Sequence, residues 1–275
     1  SYDIELCAEN NMTAMKRHII ALMLLAVIGA VSHQHPCRAA NGISPEWVKA
    51  KSGELYSLFA KNDFAMDFAL QRPSQKRLNV VLSIPAAFTT HDNRVDGVYV
   101  HSGKIYRQDS INKDLGGAIV IKNGECKMFA TASGSLLTPS LLQSVQQSNG
   151  SLFQQFLIVA NSRPASFKDK SKFQRRAILE FCDGRFGIVE STTPITFSTF
   201  IADLVCLGVR NALYLDMGAW DEGWYRNSGT GKVKVIGNDR SLTYRQSNWI
   251  IFRMKTGADK TPPNWNELAE VRLKR

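Results

Sequence analysis

RRAILEFCDGRFGIVES, residues Arg175 to Ser191, decides how this chain is read. Two β-prone runs, Ala177 to Cys182 and Phe186 to Glu190, flank Asp183-Gly184. An Asp-Gly or Asn-Gly pair between such runs signals a tight hairpin, because both turn residues need positive φ. The pattern recurs upstream. Ala118 to Lys122 and Glu125 to Phe129 flank Asn123-Gly124, and Gly97 to Val100 and Lys104 to Tyr106 flank Ser102-Gly103.

Outward from these hairpins the sequence places few helices. Thr138-Pro139 caps one running to about Gln147, with Leu141, Leu142 and Val145 on its apolar face. Thr196 caps another to about Leu207, with a stripe of Phe197, Phe200, Ile201, Leu204 and Val205 and a stop at Gly208. Ser44-Pro45-Glu46 is expected to open a short helix. Further strands are expected at Leu78 to Ile84 (closed by Pro85), Phe156 to Ala160, Ala212 to Asp216 and Trp249 to Met254. Hairpins outnumber crossover units, so the expected fold is a single α+β domain. Its core is a largely antiparallel or mixed sheet with a few flanking helices. The expected organisation is an N-terminal extension and signal peptide over 1–40, a domain over 41–255, and a linker with a short charged helix over 256–275.

Composition agrees with a globular chain. The 275 residues are 44% hydrophobic and 21% charged, and the formal charge of +10 with pI near 9.4 fits either an anionic partner or a simply basic surface. Met15-Lys16-Arg17, the 13 apolar residues Ile19 to Val31 and the exit Cys37-Arg38-Ala39-Ala40 read as a secretory signal peptide. A membrane-spanning helix needs roughly 20 residues, so no stable span is expected after cleavage. Residues 1–11 precede Met12 and Met15 and are expected to lie ahead of the translation start. The mature protein is expected to be periplasmic or secreted. Pro36 before Cys37 argues against a lipoprotein signal. Cys126, Cys182 and Cys206 allow at most one internal pair, and none forms a CxxC unit of the kind that holds zinc. They are read as core packing.

Several chemistries are set aside. The chain has no GxGxxG, no P-loop and no GxSxG, and His91 and His101 are too far apart for a local ligand pair. Neither a metal nor a cofactor is expected. Nucleic acid is not expected as a partner, since the lysines and arginines scatter without a recognised module.

The order of GVYVHSGK (Gly97 to Lys104), RRAILEFCDGRFGIVES, a helix and NALYLDMG (Asn211 to Gly218) resembles the phosphodiester glycosidase family. The resemblance spans about Leu78 to Arg226 and is most specific over Arg175 to Asp216. Family members carry an Ile-Asn-Gly-Gly-Phe-Phe type motif after the first core strand, an arginine-led later strand and a Leu-Asp-Gly-Gly-Gly-Ser type loop. The arginine falls on Arg175 and the loop aspartate on Asp216, while Glu190 resembles an acid that some bacterial members place before the helix. The sequence departs at Ser83-Ile84-Pro85-Ala86-Ala87-Phe88, which lacks the asparagine and both glycines. It departs again at Met217, Ala219 and Trp220, which replace glycines or a serine.

The resemblance implies hydrolysis of a sugar-1-phosphodiester, with a sugar-phosphate or glycan as substrate. A phosphodiester leaves as a stable anion and needs cationic donors more than a proton, which suits a bidentate arginine. One carboxylate must still activate water, attack, or stabilise an oxocarbenium-like transition state. Arg175, Glu190 and Asp216 are the expected catalytic residues. Expected at the substrate are Arg176, Gly218 (for a close turn), Trp220, Trp224 and Tyr225 as a sugar platform, and Asp221, Glu222 and Arg226 for hydroxyls. The plainer alternatives are a surface role for Arg175 in the basic run from Lys168, a turn cap for Asp216, and an aromatic loop folded onto its own domain. The competing functional reading is a catalytically inactive relative that binds carbohydrate or phosphorylated glycan.

Overall fold

The computed structural model describes residues 42–266 and 268, so the expected signal peptide and most of the charged C-terminal helix lie outside the described residues. The described chain begins with β1 (Glu46–Lys49), β2 (Leu55–Ala60), β3 (Ala65–Ala69) and β4 (Val80–Pro85). Two hairpins follow, β5 (Tyr99–His101) with β6 (Lys104–Tyr106), and β7 (Gly117–Lys122) with β8 (Glu125–Ala130). Then come α1 (Pro139–Gln147), β9 (Ser151–Gln155), β10 (Leu157–Ala160) and β11 (Arg163–Pro164). The hairpin β12 (Arg176–Phe181) and β13 (Phe186–Ser191) leads into α2 (Phe197–Cys206) and β14 (Val209–Tyr214). The last strands are β15 (Gly223–Arg226), β16 (Val233–Ile236) and β17 (Trp249–Arg253).

Three antiparallel sheets result: β1-β2-β13-β12-β14-β10-β11, β16-β15-β4-β17-β3, and β6-β5-β9-β7-β8. The α+β expectation of antiparallel hairpins with few helices is met. Turn chemistry explains the hairpins. Asn123 (φ 48°) and Gly124 (φ 72°) both take the left-handed conformation, as do Ser102 (φ 46°) and Gly103 (φ 72°). Thr138 and Thr196 cap α1 and α2 by accepting the N–H of Leu141 and Thr199.

Alternation along the strands sorts side chains into separate cores. The central core takes Ile178, Ile188 and Leu213 from the first sheet, Leu82, Ile250 and Phe252 from the second, and Ile119 and Phe153 from the third. The opposite face of the first sheet, with Ala177, Leu179 and Val189, is covered by Phe200, Ile201 and Leu204 of α2. The opposite face of the third sheet, with Ala118 and Val120, is covered by Leu141, Leu142 and Val145 of α1.

Two local expectations are corrected. Glu46–Lys49 is a strand rather than the start of a helix, because β2 offers it a partner in register (Glu46 opposite Leu58, Lys49 opposite Leu55) and Trp47-Val48 favour the pleat. The aromatic stretch after Asp216 is not wholly a loop: Gly223–Arg226 is β15, paired with β4 and β16.

Candidate functional site

β14 ends at Tyr214 in the first sheet, and β15 begins at Gly223 in the second, so the chain changes sheets between them. Leu215 donates its N–H to Arg176 O (3.0 Å) on one side, and Asp216 donates to Ala86 O (2.9 Å), just past β4, on the other. Asp216 therefore stands where two sheets meet, which accounts for an aspartate closing so apolar a run.

Asp216 is buried, and its Oδ2 accepts the N–H of Thr89 at 3.0 Å. Burial pushes its carboxyl up to about 7. Donors at Thr89, the Met217 N–H and the Trp220 indole oppose this shift. The indole approaches the carboxylate without completing a hydrogen bond of full geometry. Thr89 is held in turn, its Oγ1 lying 3.0 Å from both Gln246 Oε1 and Ser247 Oγ. Asn248 clasps the backbone of Ala87, accepting from its N–H at 2.7 Å and donating to its carbonyl at 3.0 Å. The segment Ser83 to Phe88 thus borders Asp216 through Ala86, and Thr89 follows it directly.

A second cluster lies on the hairpin. Arg176 and Glu190 are opposite residues of β12 and β13, and both are buried. Arg176 Nε donates to Glu190 Oε2 at 2.6 Å, and its Nη2 joins the same oxygen. Both terminal nitrogens also donate to Asp221 O at 3.1 Å. Gln174 Nε2 donates to Glu190 Oε1 at 2.9 Å. The Asp221 carboxylate turns to the backbone N–H groups of Asn238 (2.9 Å) and Asp239 (3.3 Å). Burial raises its pKa, against the pull of Arg176 and those two donors.

Arg175, just before β12, points to the opposite face from Arg176, continuing the alternation of the strand. Each of its three side-chain nitrogens has a partner: Ile195 O (3.2 Å), Tyr214 Oη (3.3 Å) and Ser171 O (2.9 Å). Its guanidinium carbon lies 3.9 Å from the Phe197 ring centroid and 5.3 Å from that of Phe173. Burial raises the pKa of Tyr214, against the pull of Arg175.

The structure thus brings together Arg176, Glu190 and Asp221. Asp216 joins Thr89 and Trp220, while Arg175 sits apart under α2. Trp224 is buried with Val80 and Ile251, and Tyr225 in the central core, so neither ring forms the expected sugar platform. Glu222 pairs with Arg72, and Arg226 donates to Gln75 O and Gly231 O. Gly218 is exposed with φ 115°, and a side chain there would meet nothing within 4 Å. Thr89, Gln246 and Asn248 were not legible as site residues: ordinary polar residues, remote in sequence, they carry no motif. No group of His, Cys, Asp and Glu suited to a metal ion occurs among the described residues.

The sequence matches no family model and no curated protein. Its fold is similar to the zebrafish N-acetylglucosamine-1-phosphodiester alpha-N-acetylglucosaminidase catalytic domain, auto-inhibited by its pro-peptide. The TM-score is 0.52 at 11% identity, over 78% of this chain and 82% of that one. It is similar also to a hypothetical protein from Synechocystis, with TM-score 0.52 and 11% identity, over 77% of this chain and 62% of that one. At this identity the likeness is one of fold, a distant structural relation.

Proposed function

We propose that this chain is an exported glycosidase-like hydrolase acting on a sugar-1-phosphodiester, with Asp216 at the reaction centre. The observation that carries the proposal is the Asp216 carboxyl, buried where two sheets meet and held near pKa 7. A group with that affinity exchanges a proton near neutral pH, as general acid–base catalysis needs. Its ionised form accepts a proton from water as the water oxygen bonds to the anomeric carbon. The bond from that carbon to the phosphodiester oxygen breaks, and the phosphate departs as an anion with the bonding pair. Arg176 and Glu190 act through position, since their pair fixes the backbone at Asp221, five residues past Asp216. The fold similarity to the zebrafish domain, whose name describes such a glycosidase, supports the substrate class.

A non-catalytic glycan-binding relative is favoured by a different observation: every side-chain nitrogen of Arg175 and of Arg176 already has a protein partner. The test is turnover of a panel of sugar-1-phosphodiesters, read by mass spectrometry, beside an Asp216→Asn control. Release of free sugar by the wild type and its loss in the variant are expected. A folded wild type that releases none would leave the binding relative.

A further inference from the structure

Three loops meet around Asp216: residues 88–95, 217–222 and 237–248. The third is stitched to both others. Leu242 donates to Ala219 O at 2.6 Å, and Asp221 to Asp239 O at 3.2 Å. Arg245 donates from Nε to Asn93 Oδ1 (2.8 Å) and from Nη2 to His91 O (2.5 Å). Within the loop, Thr243 Oγ1 donates to Arg240 O at 3.0 Å, closing the short 3₁₀ turn Thr243–Arg245. Thr243 and Gln246 are buried by this stitching.

Among the exposed side chains of this pinned loop are Tyr244 and Arg240. Tyr244, at the centre of the 3₁₀ turn, is 79% exposed, the most exposed large apolar residue among those described. Arg240 is exposed and its guanidinium has no partner among the described residues, unlike Arg245, tied to the 88–95 loop, and Arg94, which pairs with Asp92. The acid nearest in sequence to Arg240 is occupied locally, since Asp239 Oδ1 accepts from the N–H and hydroxyl of Ser241. A ring held by a backbone fixed at both flanks loses little freedom when a ligand stacks on it. A planar apolar face and a guanidinium with no partner among the described residues, four positions apart on one fixed loop, suit a sugar ring that carries an anionic substituent.

We propose that Tyr244 and Arg240 form a glycan subsite outside the reaction centre, which takes an anionic oligosaccharide. The ring stacks one sugar face and the guanidinium binds its anionic group. The inference rests on the carbohydrate-active reading of the Asp216 region, but a binding measurement tests it without turnover. Heparin tetrasaccharide and its desulfated, carboxyl-reduced and so uncharged counterpart serve as probes, titrated calorimetrically into the full chain at physiological salt. The wild type should bind the sulfated probe. Tyr244→Ala should weaken both probes about tenfold, a loss of about 1.4 kcal/mol, and Tyr244→Phe should keep wild-type affinity. Arg240→Gln should weaken only the sulfated probe, bringing it to the level of the desulfated one. Both positions are exposed, so their variants keep the fold. Failure of the wild type to bind the sulfated probe would overturn the subsite. So would equal binding by Tyr244→Ala, which would mark diffuse attraction to a basic surface. Absence of turnover with the binding pattern intact would sink the hydrolase reading alone.

Discussion

At the scale of single residues, Asp216 sets a conflict between folding and chemistry. Its carboxyl titrates near 3.8 when exposed and near 7 when buried here. Between those values the native state keeps a proton that the unfolded chain has released. Stability therefore declines as pH rises through about 4 to 7 and levels off above. The full linkage is on the order of 4 kcal/mol. Asp216→Asn keeps an acceptor for the Thr89 N–H and removes the charge, so the variant should be more stable than wild type at pH 8, by about 2 kcal/mol after relaxation. The gain should vanish near pH 4; urea denaturation at the two pH values reads both, and equal stability at pH 8 would contradict a buried, proton-holding Asp216. The Arg176–Glu190 pair has the opposite character. Arg176→Met strands a buried carboxylate and should cost about 3–5 kcal/mol, whereas Arg94→Gln, at an exposed pair, should cost under about 1 kcal/mol. Chemical denaturation of both variants checks the contrast. The sequence suggested that Arg175 and Asp216 mattered, but it could not say that Arg175 faces α2. Facing is set by the pleat and register of the strand and by which element covers each face of the sheet.

At the scale of elements, legibility followed locality. The hairpins at Asn123-Gly124 and Asp183-Gly184 and both helix caps depend on residues adjacent in sequence, and they were readable. The strands β3 and β9 take their state from partners distant in sequence, β17 for the first and β5 and β7 for the second. β1 misled because Ser-Pro-Glu is a helix opening in isolation, while strand pairing supplies more than one capped turn can. The turn at Gly124 joins both kinds of constraint. Its φ is positive, and a Cβ there would lie 2.5 Å from Ala65 Cβ, at the first residue of β3. Gly124→Ala should cost more than about 1 kcal/mol. Thermal denaturation should show the loss, and a neutral result would mean that β3 can shift away from the turn.

At the scale of the molecule, three sheets share one central core. Phe153 of the third sheet stacks on Phe68 of the second, with centroids 4.9 Å apart, beside Ile178 and Leu213 of the first. No sheet can lose its inner face without exposing the others. Phe153→Ala should therefore cost about 3–5 kcal/mol and lower a single transition, seen alike by near- and far-ultraviolet circular dichroism. Two separated transitions would show that a sheet unfolds on its own. The hydrophobic patterning announced such a core, but not its division among three sheets, because the periodicity of a strand reveals two faces and not what covers them.

β15 sends Trp224 into the small cluster with Val80 and Ile251 and Tyr225 into the central core. Residues 217–222 connect this strand to Asp216, and their number works like a reading frame. One residue more or fewer would exchange the destinations of Trp224 and Tyr225 and turn the strand inside out. Ala219 is thus open to new letters, while Glu222 is held by Arg72 and the span itself tolerates no frameshift. A library that varies Ala219 should yield folded clones, and one that inserts a single residue in the span should yield almost none.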